Sequence, residues 1–121
     1  QAFTGGECPI EGELERYLPI IQLDDYMQGF DIAQVDFLKV DVEGYDYKVF
    51  LGAPETLKKT RFIQYEHWDD KAEFVKLLSK DFLLYNIGFR NVLGINTNLV
   101  DEEDVLPVIG LITLRDYASL K

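Results

Sequence analysis

Residues 35–52, VDFLKVDVEGYDYKVFLG, constrain the fold more than any other stretch of the chain. Val35, Phe37, Lys39, Asp41 and Glu43 alternate with Leu38, Val40 and Val42, the period-2 pattern of an extended strand. One face is aliphatic; the other carries a lysine and, towards its end, two carboxylates. Gly44 breaks the strand, and residues 45–51 continue at helical spacing. A strand running straight into a helix, with acids at the junction, is where open α/β sheets hold their ligands. The strand carries no edge protection, so it is expected to have neighbours on both sides.

Around this stretch the chain reads as strand, helix, strand, helix, strand, strand. Residues 1–12 hold four glycines or prolines and predict a loop or frayed end, and Pro19 leaves residues 13–21 ambiguous. Residues 23–27 predict a short helix with Asp24 as its N-cap and Gly29 closing the turn. Gly52 suits the end of the helix over 45–51, and Pro54 suits the first turn of another through Lys59. Residues 61–66 form the next strand. Phe74, Val75, Leu77, Leu78 and Phe82 form one apolar stripe, which predicts a longer helix capped by Asp69 or Asp70. A strand within residues 89–99 is weakened by Gly94, Asn96 and Asn98; residues 101–104 predict an acidic turn, and residues 108–115 the last strand. The β-α-β order predicts an α/β fold with a mainly parallel sheet, closed by an antiparallel partner.

At 121 residues the chain is one domain with a sizeable core, its apolar share being 47%. Twelve basic against 22 acidic residues give a net charge of −10, which opposes phosphate backbones and argues against nucleic-acid binding. No apolar run reaches the ~20 residues of a membrane span, and nothing resembles a secretory leader. Cys8 is the only cysteine, so no intrachain disulfide or cysteine metal cluster forms, which fits a reducing compartment such as the cytoplasm. The chain opens on Gln1, so an upstream segment is expected.

Leu38, Lys39, Val40, Asp41, Val42, Glu43 and Gly44, followed by Val49, Gly52 and Ala53, resemble the signature of the FkbM family of S-adenosylmethionine-dependent methyltransferases. Leu23-Asp24 and Tyr65-Glu66-His67 resemble the steps that flank it. Asp46 stands where the family usually has glutamate, and Phe50 where leucine is usual. The resemblance covers residues 22–67 well and the remainder in element order only. It implies a partial Rossmann-like methyltransferase fold, matching strands four to seven of a seven-stranded sheet, mostly parallel with a terminal antiparallel strand. It implies S-adenosylmethionine as cofactor and O-methylation of a hydroxyl on a small molecule or glycan. The family's glycine-rich cofactor turn has no counterpart before Leu23, so the chain reads as the C-terminal, substrate-side half of such a domain, either a fragment or a relic.

Methyl transfer needs an acceptor atom held in line with the methyl group and, for a hydroxyl, a base for its proton. The catalytic candidates are Asp41, Lys39, His67 and Glu66; Asp41 and Glu43 are also candidates for the cofactor. Lys39 and Asp41 lie about 6.6 Å apart by strand spacing, within reach of an ion pair; the blander role for Lys39 is a packed stem with a solvated ammonium. Asp41 and Glu43 could instead cap the following helix. His67, the only histidine, belongs to the residue type that exchanges protons near neutral pH, but a lone histidine is as often structural. Trp68 is expected to pack. A metal site is not supported, because the Asp41-x-Glu43-Gly44-x-Asp46 string is too short for a calcium loop. The competing readings are a non-catalytic methyltransferase-like module docked in a larger assembly, and an acidic domain for a basic partner.

Overall fold

The computed structural model describes residues 6–10, 16–101, 103–105 and 107. Two short strands, β1 (Gly6–Ile10) and β2 (Arg16–Ile20), pair antiparallel where a loop and an ambiguous segment are expected. A two-stranded ribbon leaves one edge of each strand free, which is how a strand tolerates Pro19. There follow α1 (Leu23–Met27), β3 (Val35–Lys39), α2 (Asp46–Leu51), α3 (Pro54–Lys58), β4 (Thr60–Glu66), α4 (Lys71–Leu78), β5 (Phe82–Gly88) and β6 (Asn91–Asn96). The strand expected over residues 108–115 lies outside the described residues.

The main sheet has the order β3-β4-β6-β5. β3 and β4 are parallel, whereas β6 is antiparallel to both β4 and β5. Three strands therefore run one way and the reversed strand slots between β4 and β5. The α/β class is as expected, but the sheet is mixed: the antiparallel strand lies inside it rather than at its end, and only β3 and β4 pair in parallel. β3 finds a neighbour on one side only: its outer edge is unpaired among the described residues, and Phe37 is 51% exposed.

Two expectations fail locally. The helix of residues 69–82 ends at Leu78, and Phe82 opens β5 instead. Phe82 falls eight residues after Phe74, so it completes a helical stripe by spacing although the chain has already turned. β3 ends at Lys39 rather than Glu43. Glu43 and Gly44 both take left-handed backbone (φ 51° and 92°), and the Tyr45 N–H donates to the Val42 carbonyl at 3.3 Å. Two consecutive positive φ values make a tight reversing turn, and glycine is the residue that enters it without strain. Lys39, Asp41 and Glu43 consequently do not share one strand face.

The core lies between the sheet and helices α2 and α4. Phe50, Tyr65 and Phe74 are buried together, Tyr65 stacking on Phe74 at 4.1 Å and Phe50 meeting both rings edge-on at 5.5 and 6.0 Å. Burial, and then the charge of Asp70, hold the Tyr65 phenol above its ordinary range. On the other face Ile95, Val100 and Val105 pack with Phe62 and Tyr85. Strand alternation separates the two sets, since Ile63 and Tyr65 face one way and Phe62 the other.

A polar chain secures the edge of the sheet where β4 begins. The buried Asn96 amide donates to the Thr60 and Leu57 carbonyls at 2.8 and 3.3 Å, and the Thr60 hydroxyl donates to the Thr56 carbonyl at 2.7 Å. Asp24 does not cap its own helix, whose N-cap is Gln22. Its carboxylate instead accepts the Glu55 and Thr56 amides, each at 2.8 Å, and the Thr56 hydroxyl at 2.6 Å. It thus caps α3 from 31 residues away, satisfying donors that Ala53 at that helix start leaves open.

Burial raises the Asp24 carboxyl, but the Thr56 and Glu55 hydrogen bonds and the charge of Lys59 outweigh it and hold it below its ordinary 3.8. A depressed carboxyl stabilises the fold above the unfolded value and loses that contribution as pH falls through the folded one. Unfolding by urea at pH 7 and at pH 3 is therefore expected to show a smaller acid-induced loss in Asp24→Asn than in the parent. At pH 7, Asp24→Ala is expected to cost about 1–2 kcal/mol.

Candidate functional site

The site is built where the two parallel strands end. β3 leads into the turn of residues 41–45 and β4 into residues 67–70, so both loops emerge at the carboxyl edge of the pair. One buried group joins them. Asp46, the first residue of α2, is 1% exposed; its Oδ1 accepts the Val42 N–H at 3.0 Å and its Oδ2 accepts the Glu66 N–H at 2.9 Å. A carboxylate accepting two amides bridges the β3 turn to the end of β4, with charge-assisted bonds stronger than neutral ones.

The bridge brings Asp41, Glu43 and Glu66-His67 to one edge. Asp41 and Glu43 are exposed, and Glu66 and His67 are half-buried. The expected Lys39–Asp41 ion pair is not formed: Lys39 is exposed at the last position of β3, and the ion pairs among the described residues are Lys58–Glu55 and Arg61–Asp36. Because the strand stops at Lys39, the i, i+2 spacing that would have juxtaposed the two side chains no longer applies. Asp41 and Glu43 make no helix-capping hydrogen bond; the N-cap position of α2 is Tyr45, without a side-chain cap.

His67 is held by its backbone, its N–H donating to the Arg90 carbonyl at 2.9 Å, while its buried Nδ1 has no hydrogen-bond partner among the described residues. The same bond brings the β5–β6 turn to this edge. Trp68 is 43% exposed rather than packed in the core. Arg90 lies 4.0 Å above its ring, and a Cβ on Gly44 would stand 3.9 Å from its Cδ1. An apolar groove of about 330 Å³, lined in part by Leu23, Tyr26, Tyr45 and Val49, opens beside the turn.

Asp46 and Arg90 are the members that sequence reasoning missed. The signal for Asp46 was present: an acid five residues after Asp41, at the first position of a helix that must be buried against the sheet. Nothing in the sequence marks Arg90, because its place depends on the pairing of β6 with β4. No group of three His, Cys, Asp or Glu side chains among the described residues converges as a metal site. No helix among them is long and apolar enough to cross a membrane.

The chain matches the family model described as the methyltransferase FkbM domain over residues 10–101, which spans the whole main sheet and both loops of the site. It is also similar to the 2-O-methyltransferase NoeI of Sinorhizobium fredii, at 38% identity over 50 residues. That match covers 41% of this chain and 21% of the relative's length. No solved structure gives a significant match. With the family model covering most of its length, the chain belongs to the FkbM methyltransferase family.

Proposed function

We propose that this chain forms the acceptor side of an S-adenosylmethionine-dependent O-methyltransferase, corresponding to the C-terminal part of the domain and to strands four to seven of its sheet. The observation that carries the reading is the Asp46 carboxylate, which ties the β3 turn to the end of β4 and so gathers Asp41, Glu43, Glu66 and His67. The residues present suit one side of the cofactor. Exposed carboxylates accept hydrogen bonds from hydroxyl and ammonium groups, and an acidic edge favours a cationic ligand. When bound, S-adenosylmethionine supplies the electrophilic methyl group.

The chain's own residues bind, orient and take up a proton. Asp41 and Glu43 hold the cofactor's polar groups, and Asp41 also faces the acceptor hydroxyl. The half-buried His67 accepts the hydroxyl proton through Nε2, since its Nδ1 is buried, and Glu66 orients the acceptor beside it. Lys39 offsets the negative charge of this edge. The acceptor is a hydroxyl-bearing small molecule or glycan.

The test is transfer of a radiolabelled methyl group to hydroxylated acceptors by the full-length protein that carries this chain. His67→Gln is expected to lower the rate by about 10²-fold or more, the usual contribution of a general base. The melting temperature should stay within about 2 °C, since a change of ~0.5 kcal/mol in a chain of this size shifts it by that amount. Undiminished transfer by His67→Gln would remove its role as base, and no transfer to any acceptor would remove the reading.

A second reading is favoured by the open edge of β3. That edge offers unpaired backbone groups to another strand, as expected of a module docked in a larger assembly. Native mass spectrometry tests it: a stoichiometric complex without methyl transfer supports this reading, and a monomer that transfers methyl groups excludes it.

A further inference from the structure

The turn between β5 and β6 presents an aromatic surface that the proposed chemistry leaves unused. Phe89 is 85% exposed and holds left-handed backbone at φ 44°. A bulky residue there is strained, and such strain persists where the surroundings enforce it, often at ligand-binding positions. Gly88, at φ 136°, precedes it, and the Arg90 carbonyl is tied to the His67 amide. Arg90 lies between two rings, 4.0 Å from the centre of Trp68 and 5.0 Å from that of Phe89. The backbone N–H of Trp68 donates to Asp70 Oδ1 at 2.9 Å, which ties down the chain of the loop that carries the ring. The result is a shelf of indole, guanidinium and phenyl at the edge that carries Asp41, Glu43, Glu66 and His67.

We propose that Trp68, Phe89 and Arg90 form the acceptor platform, and that it takes a neutral sugar ring. The proposal rests on the reading of this edge as a methyl-acceptor site and names the acceptor's chemistry. The Phe89 ring, 85% exposed, offers an apolar face to the C–H side of a pyranose beside the Trp68 face that Arg90 covers, as recognition sites with one apolar and one wet side do. The Arg90 guanidinium donates to ring and hydroxyl oxygens, and the neighbouring carboxylates accept hydroxyl protons. A neutral polyhydroxylated ring meets all three groups without opposing the net charge of −10, whereas an anionic acceptor would be repelled by it. Cation–π stacking keeps Arg90 aligned over Trp68 rather than free in solvent.

Trp68 is the only tryptophan of the chain, so its emission reports the platform directly. The experiment titrates a panel of methyl glycosides of the common hexoses and pentoses into the 121-residue chain, without S-adenosylmethionine, and follows tryptophan fluorescence. At least one glycoside is expected to shift the emission saturably, while sorbitol, an open-chain polyol with no ring face, is not. Phe89→Gly is expected to weaken that binding about tenfold, a loss equivalent to one aromatic contact, and to leave the melting temperature equal or higher because glycine accepts the left-handed backbone. Emission unmoved by every glycoside, or equal binding by Phe89→Gly, overturns the proposal. Because the titration needs no cofactor, failure of methyl transfer leaves a positive result standing, and active transfer with an unresponsive Trp68 overturns the platform alone.

Discussion

Asp46→Ala is expected to destabilise the protein by about 2–4 kcal/mol and to abolish methyl transfer together with it. The substitution removes the acceptor for two amides, Val42 N–H and Glu66 N–H, in a region that is 1% exposed at the side chain itself. Each buried donor left unpaired costs about 1–3 kcal/mol, with partial relief where water reaches the part-buried amides. Asp46→Asn keeps the shape but turns an NH2 group towards one of the two N–H donors, so it is expected to fall between the parent and Asp46→Ala. Urea unfolding measures the stability. Transfer assayed well below the unfolding midpoint separates the two effects: the bridge account predicts a loss of rate in Asp46→Asn even where the protein is fully folded. Full activity in folded Asp46→Asn would show that the loops hold their places without the bridge.

Phe74→Ala is expected to cost about 3–5 kcal/mol, the range for deleting a buried ring. Phe74 is fully buried and touches three aromatic neighbours: Tyr65 at 4.1 Å, Tyr47 at 5.3 Å and Phe50 at 6.0 Å. With Leu78 it is one of the two buried residues through which α4 holds the sheet, and the stiff surrounding rings hinder closure of the cavity it leaves. Against a total stability of about 5–15 kcal/mol for a domain, such a loss leaves little margin. Phe74→Leu, which keeps most of the volume, is expected to cost less. The check is the urea midpoint of both variants at one temperature, and a midpoint for Phe74→Ala within the error of the parent would mean that α4 does not anchor the core.

Much of the frame is legible in the residues because it follows from local rules. α1 falls on residues 23–27 as read, Pro54 opens α3, and β4 begins one residue before its expected start. What the sequence hides is set by partners distant along the chain. Asp24 sits in its own helix but caps another, since the geometry that decides this is the packing of α1 against α3. Gly94 and Asn96 argue against a strand by propensity, yet both lie in β6. A Cβ on Gly94 would stand 2.5 Å from Ile63 Cγ1, so close approach of β4 requires glycine, and Asn96 is buried because the Thr60 carbonyl awaits its amide. At the site, the acids were visible and their arrangement was not. Alternation placed Lys39, Asp41 and Glu43 on one face, whereas the left-handed pair Glu43-Gly44 ends the extended chain first and lets Asp46 fold back beneath the turn.

The central claim is that a cofactor and acceptor meet at the carboxyl ends of β3 and β4. The most direct measurement is a titration of S-adenosylmethionine into the ¹⁵N-labelled full-length protein that carries this chain, followed by amide chemical shifts. The account predicts saturable shifts centred on residues 41–44 and 66–68, weakened in Asp41→Asn. Shifts confined to the opposite edge, around the cavity of about 460 Å³ bordered by Pro54, Leu57, Asp81, Asn96 and Asn98, or no saturable shift at all, would contradict it.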